Sequence, residues 1–420
     1  MAKIEPRVNA RAREAVCSNR HGMLFKALML LPLLCVFWLL AFPALCGAAP
    51  PKAPIRVVYG FDREFPPFTY EEAGGIPTGF EIDLVKAIFA ETDANLVFRP
   101  LQWDLIPLEL SQGIITLTTG MVRTEQRSKL FLFSDKPTFP LQMRLFTKIY
   151  NRFPTAALLR GQMVAVQQGT YPHRLLDEFG GMNLKLYPGR VDGLRALYND
   201  EVAAFCGAMQ NTYYYINKLN YGSITTIGTP LGITEMRIAV NRDRGDIQKM
   251  VDEGLDRVIA NGEYNRLYRK WFVRDLSQEE QTVMIQAAAN AAIPAYVPYE
   301  SQGQGAAVLT ATGKVYTACT VENADLPLTM SALEGAVSRA ISDGEFELRG
   351  AVVVVPGILG DGRIVGTPIA PTPQELQLLY EFGRGILVIM QPSPGVNSMS
   401  MIAELLPEPV VRPTPTVKIE

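Results

Sequence analysis

The run Ile55-Arg56-Val57-Val58-Tyr59 is mostly apolar and has the length of a strand, and the segment FEIDLVKAIFAET at Phe80 to Thr92 has the apolar spacing of a helix. The same alternation recurs downstream, with strand-sized runs at Met163 to Val166 and Met236 to Val240 and a helical pattern at Asp246 to Ala260. Such alternation is typical of βαβ units. The sequence therefore predicts an α/β region of two lobes from Ile55 to about Phe272, built on mainly parallel sheets.

The composition is that of an ordinary globular protein. Of the 420 residues, 48% are hydrophobic and 20% are charged, and the formal net charge is -2. Proteins that bind nucleic acid or anionic lipid usually carry a basic excess or a basic stripe. We therefore expect no nucleic acid partner, and a chain of this length has room for two or three domains.

The first 49 residues have the layout of a signal peptide. Basic residues from Arg7 to Lys26 precede the apolar run Ala27 to Leu45, and small residues follow at Gly47 to Ala49. The apolar run is close to bilayer-spanning length, so a retained N-terminal anchor is the alternative, and translation from Met23 is left open. Only Cys206 and Cys319 lie beyond this region, so we expect no structural disulfide. The interpretation is export to the periplasm.

Short motifs follow one another through the two-lobed region, and together they resemble the family 3 extracellular solute-binding proteins. The motifs are Phe65-Pro66-Pro67-Phe68, Gly79-Phe80-Glu81-Ile82-Asp83, Trp103, Thr124-Glu125-Gln126-Arg127, Phe133-Ser134, Gly169-Thr170 and Tyr268-Arg269-Lys270-Trp271-Phe272. Seven motifs in family order over one α/β segment are far more specific than any one of them. The resemblance implies a type II periplasmic binding fold over residues 55–273, with a small polar solute held between the lobes.

The resemblance also identifies candidate ligand-binding residues. Arg127 matches the family's carboxylate-binding arginine, and its planar fork suits that anion, although a lone arginine is commonly a solvated surface charge. Phe65 and Trp103 match aromatic walls, with core packing as the alternative. Asp62 matches a polar position that could accept hydrogen bonds from a ligand amine or hydroxyl, or it is a surface acid at a strand end. Gly169 and Thr170 precede a helical stretch, where backbone N–H groups can hold an anion.

Two departures from the family pattern bear on the ligand. The aspartate that binds the ligand amine in the family aligns with Ala208, and Thr116 stands near another usual aspartate. A desolvated ammonium without a partner costs roughly several kcal/mol. An ordinary α-amino acid is therefore a doubtful ligand.

The region 277–410 contains a second series of motifs, which resembles the small homotetrameric cytidine deaminases. The motifs are Ala295 to Tyr299, Gly305 to Leu309, Thr312 to Tyr316, Val321 to Ala324, Leu328 to Glu334, Pro371 to Phe382 and Ala403 to Pro407. The resemblance implies an α/β/α sandwich. Hydrolytic deamination needs a zinc ion with three protein ligands and a glutamate that moves protons.

All four of those functional positions have changed. The zinc-ligand positions hold Ser331, Thr372 and Glu375, and Leu333 stands at the position of the catalytic glutamate. Neutral hydroxyls are poor zinc ligands. The sequence therefore predicts no catalytic residue, no metal and no cofactor. Glu322, which matches a ribose-binding residue, keeps a nucleoside-binding or deaminase-like enzyme as the alternative function.

The sequence thus predicts a periplasmic solute-binding protein for transport or sensing, whose ligand is a carboxylate-bearing solute. The deaminase-like domain is interpreted as a non-catalytic part for assembly or interaction, and a homo-oligomer through it is one form of this. The partner could be a membrane permease of an ABC transporter or a membrane sensor, and the sequence leaves this choice open. It also leaves open that the protein is an interaction module whose cleft no longer binds a ligand.

Overall fold

The structure is a computed structural model, and it describes residues 54–151, 153, 155–299 and 302–411. The predicted signal peptide or anchor at residues 1–49 lies outside the described residues. From Ile55 onward, the described residues form one compact unit. In this part of the chain, no helix combines the length and the apolar character needed to cross a bilayer.

The described α-helices are numbered here in chain order. They are α1 (Phe80–Phe89), α2 (Ile106–Ser111), α3 (Glu125–Ser128), α4 (Tyr171–Phe179), α5 (Arg190–Tyr198), α6 (Met209–Lys218), α7 (Gly245–Ala260), α8 (Glu263–Phe272), α9 (Gln278–Ala292), α10 (Ala332–Ser342), α11 (Pro373–Tyr380) and α12 (Ile402–Leu405). Short 3-10 helices occur at Ala156–Leu159 and Leu326–Leu328.

The described strands form one sheet of nine strands, one of six and one of three. They are β1 (Ile55–Asp62), β2 (Glu64–Phe65), β3 (Thr69–Glu72), β4 (Ile76–Thr78), β5 (Ala94–Leu101), β6 (Leu117–Val122), β7 (Phe131–Phe133), β8 (Phe139–Lys148), β9 (Met163–Gln167), β10 (Asn183–Tyr187), β11 (Ala204–Ala208), β12 (Ile224–Asn241), β13 (Gly305–Thr310), β14 (Val315–Cys319), β15 (Leu348–Ile358), β16 (Ile364–Ile369), β17 (Leu387–Ser393) and β18 (Val396–Met401).

The nine-stranded sheet runs through two lobes in the order β10-β9-β11-β8-β12-β6-β1-β5, and β7 pairs with β12. In the first lobe β5, β1 and β6 are parallel, and in the second lobe β10, β9 and β11 are parallel. The strands β8 and β12 are antiparallel to their neighbours, because the chain enters the second lobe along β8 and returns along β12. The sheet is therefore mixed, and the expectation of mainly parallel pairing holds only inside each lobe.

The predicted elements lie close to the observed ones, and their ends differ for local reasons. The helix predicted at Phe80 to Thr92 ends at Phe89. Both the backbone N–H and the hydroxyl of Thr92 donate to the carbonyl oxygen of Phe89, at 3.1 and 2.8 Å, which turns the chain out of the helix. The strand predicted at Met236 to Val240 is the end of the much longer β12.

The six-stranded sheet has the order β14-β13-β15-β17-β18, with β16 on β15, and β15 and β17 are its parallel pair. Alternate side chains of β13 face opposite sides, as the pleat requires. Ala307 and Leu309 share a core with Met284 of α9, whereas Ala306 and Val308 share another core with Leu333 of α10. This region is therefore an α/β/α sandwich.

The helices α9, α10 and α11 of this sandwich are each preceded by a capping box. In a capping box, the side chains of the N-cap residue and of the residue three positions later accept hydrogen bonds from each other's backbone N–H. Ser277 is the N-cap residue of α9. Ser331 Oγ accepts from the N–H of Glu334 at 3.1 Å, and Thr372 Oγ1 accepts from the N–H of Glu375 at 3.3 Å. In turn, Glu334 Oε2 accepts from the N–H of Ser331 at 3.0 Å, and Glu375 Oε2 accepts from the N–H of Thr372 at 2.8 Å. Ser331 and Thr372 therefore have a structural role at helix starts.

A buried carboxyl group lies in the core of the first lobe. Glu81 of α1 is fully buried, and its Oε1 accepts a hydrogen bond from the Thr138 hydroxyl at 2.7 Å. Its Oε2 has no hydrogen-bond partner among the described residues. Burial, only partly offset by the Thr138 bond, raises the pKa of Glu81 to about 7.

We expect the substitution Glu81→Gln to stabilise the protein above pH 7. Between the usual pKa near 4.5 and about 7, folded Glu81 holds a proton that the unfolded chain has lost, so its contribution to stability falls as the pH rises through this window. Glutamine carries no such penalty, and the gain at pH 8 is up to roughly 3 kcal/mol. Urea unfolding of both proteins at pH 5 and pH 8 measures it. A stability difference that is the same at both pH values would contradict the assignment.

We expect the substitution Thr372→Ala to lower the free energy of unfolding by about 1 kcal/mol, because the N-terminal amides of α11 lose their capping acceptor. The matched control is Thr282→Ala, at an exposed site inside α9 where the hydroxyl donates to the Gln278 carbonyl. Alanine favours a helix interior, so the control keeps wild-type stability. Thermal and urea unfolding compare the two, and an equal loss in both variants would exclude a specific capping role.

Candidate functional site

The candidate site is a cleft between the two lobes. It holds about 610 Å³ of empty space, including open solvent at its mouth. Both lobes contribute to the lining, and five of the six sequence-predicted residues belong to it: Asp62, Phe65, Trp103, Arg127 and Thr170. The structure therefore brings together side chains that lie more than 100 residues apart in the chain.

Strand ends position several of these residues. Asp62 is the last residue of β1, Trp103 follows the end of β5, and Gln167 is the last residue of β9. Parallel strands present their carboxyl ends at one edge of the sheet, and ligands of open α/β sheets bind in the crevice outside that edge. The cleft therefore occupies the edge that the βαβ pattern favours.

Arg127 is held in place by its own short helix. The Thr124 hydroxyl accepts from the N–H of Arg127 at 3.2 Å, and Arg127 Nη1 donates to the carbonyl of Val122 at 3.0 Å. The guanidinium carbon lies 5.6 Å from the centre of the Trp103 ring. Arg127 has no ion pair with a carboxylate among the described residues. It can therefore offer its remaining N–H groups to an anion.

The electrostatic setting of Arg127 favours an anion. Burial, and then the nearby positive charge of Arg174, lower the pKa of Arg127 to about 10. The side chain is still positively charged at neutral pH. A partly desolvated cation interacts with an incoming anion more strongly than a cation in bulk water does.

Asp62 has a partner that the sequence analysis missed. Arg190, the first residue of α5 in the second lobe, donates from Nη2 to Asp62 Oδ2 at 2.8 Å. The other Asp62 oxygen accepts from the N–H of Glu64 at 2.9 Å. Asp62 therefore forms an ion pair across the cleft. One sequence signal could have found Arg190, because a cation in the first turn of a helix is disfavoured by the helix dipole.

Gly169 and Thr170 differ in their positions. The N–H of Gly169 donates to Nδ1 of His173 at 3.3 Å, and Gly169 does not belong to the described lining of the cleft. Thr170 lines the cleft, and its hydroxyl donates to the carbonyl of Gln167 at 2.7 Å. In this structure the His173 ring accepts from the Gly169 amide, so the anion-binding role of Gly169 stays a prediction.

Ala208 lies in the lining beside Cys206 of the same strand. Burial raises the pKa of the Cys206 thiol to about 12, so this side chain is a neutral thiol. Asp62 is the one carboxylate among the described lining residues. Thr116, the other departure, has a structural role, because its Oγ1 accepts from the N–H of Val58 at 3.0 Å.

The second candidate site, in the α/β/α sandwich, does not fit zinc. The hydroxyls of Ser331 and Thr372 and the carboxylate of Glu375 are engaged in helix capping, as described above. Leu333 is fully buried in the apolar core. In the described part of the chain, no cluster of three or more His, Cys, Asp or Glu side chains could hold a metal ion. Buried Glu322 accepts from the N–H of Tyr299 at 2.8 Å.

The sandwich contacts both lobes. In the second lobe, the Tyr213 hydroxyl donates to Glu347 Oε1 at 3.0 Å, and burial raises the pKa of both groups. In the first lobe, the guanidinium of Arg384 lies 4.7 Å from the ring centre of Tyr264 and 5.1 Å from that of Tyr268. The sandwich therefore bridges the two lobes outside the cleft.

Comparison with known proteins identifies both parts of the chain. Residues 57–274 match the bacterial extracellular solute-binding proteins, family 3, and residues 257–355 match the cytidine and deoxycytidylate deaminase zinc-binding region. The arginine-binding periplasmic protein of Mannheimia haemolytica is 29% identical over 226 residues, which cover 50% of this chain and 88% of that protein. The histidine-binding periplasmic protein of Salmonella typhimurium is 25% identical over 241 residues, 53% of this chain and 90% of that one.

Solved structures match over the same half. A histidine kinase sensor domain with similarity to periplasmic binding proteins has 25% identity and a TM-score of 0.49, covering 52% of this chain and 96% of that one. The arginine-, lysine-, histidine-binding protein ArtJ from Geobacillus stearothermophilus has 23% identity and a TM-score of 0.48, covering 54% of this chain and 99% of that one. The family 3 match spans more than half of the chain, and the chain belongs to the family 3 bacterial extracellular solute-binding proteins, with a cytidine deaminase-like region in its C-terminal part.

Proposed function

We propose that this protein is a periplasmic solute-binding protein, for transport or sensing, that recognises a small carboxylate-bearing solute between its two lobes. The observation that carries the proposal is Arg127, a half-buried cation in the cleft that has no ion pair with a described carboxylate. Relatives that bind arginine or histidine are named periplasmic, which supports this location and an exported chain with an N-terminal signal segment or anchor. A membrane permease or sensor is the expected partner for either role.

The cleft supports a solute with an apolar body as well as a carboxylate. Phe65, Trp103, Leu141, Met143 and Phe205 all line it. Aromatic faces pack against apolar groups, and a few placed polar groups then fix the orientation of a ligand. Phe65, Trp103 and Thr170 are proposed as walls of the site, and Arg127 as the carboxylate-binding residue.

Arg127→Ala is expected to abolish the thermal shift that an anionic solute produces. A ligand that binds only the folded protein raises its melting temperature by mass action, and loss of the guanidinium removes the charge that holds the carboxylate. The control is Arg123→Ala, which removes the same charge from an exposed neighbour whose Nε donates to Ser128. A thermal-shift screen of amino acids, carboxylates and nucleosides measures the effect. Equal thermal shifts in the wild type and in Arg127→Ala would show that Arg127 does not bind the carboxylate.

For the C-terminal part, we propose a non-catalytic domain at residues 277–410 that acts in assembly or interaction, joined to a solute-binding domain at residues 55–273. Two observations support this role. The zinc-ligand positions hold the capping residues Ser331 and Thr372, and the domain packs against both lobes. Self-association through this domain is one form of assembly, and light scattering of the full chain tests it.

The alternative function is a nucleoside-binding or deaminase-like enzyme, which the match to the deaminase zinc-binding region favours. The proposal expects purified protein to contain no stoichiometric zinc and to release no ammonia from cytidine or deoxycytidine. Elemental analysis and an ammonia assay, with added zinc, measure both. Turnover of cytidine, or a cytidine-induced thermal shift that Glu322→Gln removes, would replace the proposal with the alternative.

Arg384→Ala tests the contact between this domain and the first lobe. The guanidinium lies over two buried tyrosine rings, and cation–π contacts of this kind contribute about 1 to 2 kcal/mol when desolvated. We expect a loss of stability of that size. The control is Arg363→Ala, at an exposed turn where the arginine pairs with Asp361. Urea unfolding compares them, and an unchanged midpoint in Arg384→Ala would show that the contact does not stabilise the assembly.

A further inference from the structure

The side chain of Arg190 forms an ion pair with Asp62 inside the cleft. The side chains of Arg190 and Asp62 are 12% and 6% exposed, and their charged ends are 2.8 Å apart. Since Asp62 is the one carboxylate among the described lining residues, this pair decides which charges the cleft can accept.

The guanidinium of Arg190 is held on several sides. Its Nε donates to Gln167 Oε1 at 3.0 Å, and its Nη1 donates to Asn211 Oδ1 at 3.2 Å. Its central carbon lies 4.7 Å from the ring centre of Phe65. Three N–H groups therefore have acceptors and one face has an aromatic partner, so this side chain is fixed in the cleft.

Direct hydrogen bonds near Asp62 also join the two lobes. Besides the ion pair, Asn211 Nδ2 of the second lobe donates to the carbonyl of Pro66 in the first lobe at 2.6 Å. The Tyr215 hydroxyl donates to the carbonyl of Glu64 at 3.1 Å. These bonds hold α6 against the segment Glu64 to Pro66, and Arg190 of α5 faces Asp62 at the end of β1 in a largely buried environment.

The consequence for a ligand is electrostatic. Asp62 already has one cation and one backbone N–H, and Ala208 offers only a methyl group. A ligand ammonium would therefore lose water without gaining a carboxylate partner, which is costly. The guanidiniums of Arg127 and Arg190 against the single carboxylate leave one positive charge in excess in the lining. That balance suits one carboxylate.

We infer that Arg190 determines specificity: its guanidinium occupies the acidic subsite at Asp62 and restricts the cleft to carboxylates that have an apolar body and no ammonium group. The inference rests on the proposed solute-binding function, and it adds the class of solute and the residue that excludes α-amino acids.

The experiment measures binding of two ligand pairs to the full chain by calorimetry and thermal shift. The pairs are 3-phenylpropanoate with phenylalanine and 4-methylpentanoate with leucine, which differ only in the α-ammonium group. The wild-type protein is expected to bind at least one of the two carboxylates at least about tenfold more tightly than the matching amino acid, because the ammonium has no partner.

Arg190→Met removes the cation and keeps an apolar stem over Phe65. Asp62 is then left with an uncompensated charge, so the variant is expected to bind the amino acids at least about tenfold more tightly than the wild type does. The double variant Asp62→Asn with Arg190→Met should lose this gain. Arg195→Met, at an exposed site of the same helix, should keep wild-type selectivity.

The outcomes separate the inference from the proposed function. If the wild type binds the amino acids as tightly as the carboxylates, or if Arg190→Met and Arg195→Met show the same selectivity, Arg190 is not the determinant, although solute binding stands. If neither member of either pair binds the wild type or Arg190→Met, solute binding of this class is itself contradicted. The wild-type comparison needs no variant, and Arg190→Gln is a second variant if Arg190→Met does not fold.

Discussion

The adjacent strands β8 and β12 connect the parallel strand sets of the two lobes into one sheet. They pair antiparallel from Ile224 with Lys148 to Met236 with Phe139, with a register shift between Ile227 and Gly232, and the last residues of β12 pair with β6 and β7 of the first lobe. A hydrogen-bonded ladder of this kind fixes the register of its residues, because a slip by one position would move every side chain to the other face. The two parallel strand sets, and hence the strand ends that form the cleft, take their places from this pair.

The aromatic cluster around Phe139 extends this constraint to the rest of the chain. Phe139, at the start of β8, stacks on Tyr268 with ring centres 5.7 Å apart and contacts Phe272 at 4.7 Å. Tyr268 and Phe272 both belong to α8, and Arg384 of the sandwich lies over the Tyr268 ring. The deaminase-like part therefore packs at the crossing between the lobes.

The cleft and the sandwich both contain polar side chains that have partners within the protein. In the sandwich, Ser331 and Thr372, at positions that match zinc ligands of the deaminases, complete capping boxes with Glu334 and Glu375. In the cleft, Asp62 is paired with Arg190, and Arg127 has no ion pair with a described carboxylate. The buried carboxylates Asp62 and Glu375 therefore both have partners, which is what the cost of an unpaired buried charge requires.

Apolar periodicity in the sequence predicted the two α/β lobes and the elements at Phe80 and Met163, because periodicity depends on local spacing. The resemblance of the ordered motifs to known families implied the sandwich and the candidate residues Phe65, Trp103 and Arg127, which line the cleft. Only the tertiary structure decided the mixed pairing of the sheet and the pairing of Asp62 with Arg190. Those facts depend on contacts between residues up to 128 positions apart, and sequence spacing contains no information on which distant side chains meet when the lobes pack together.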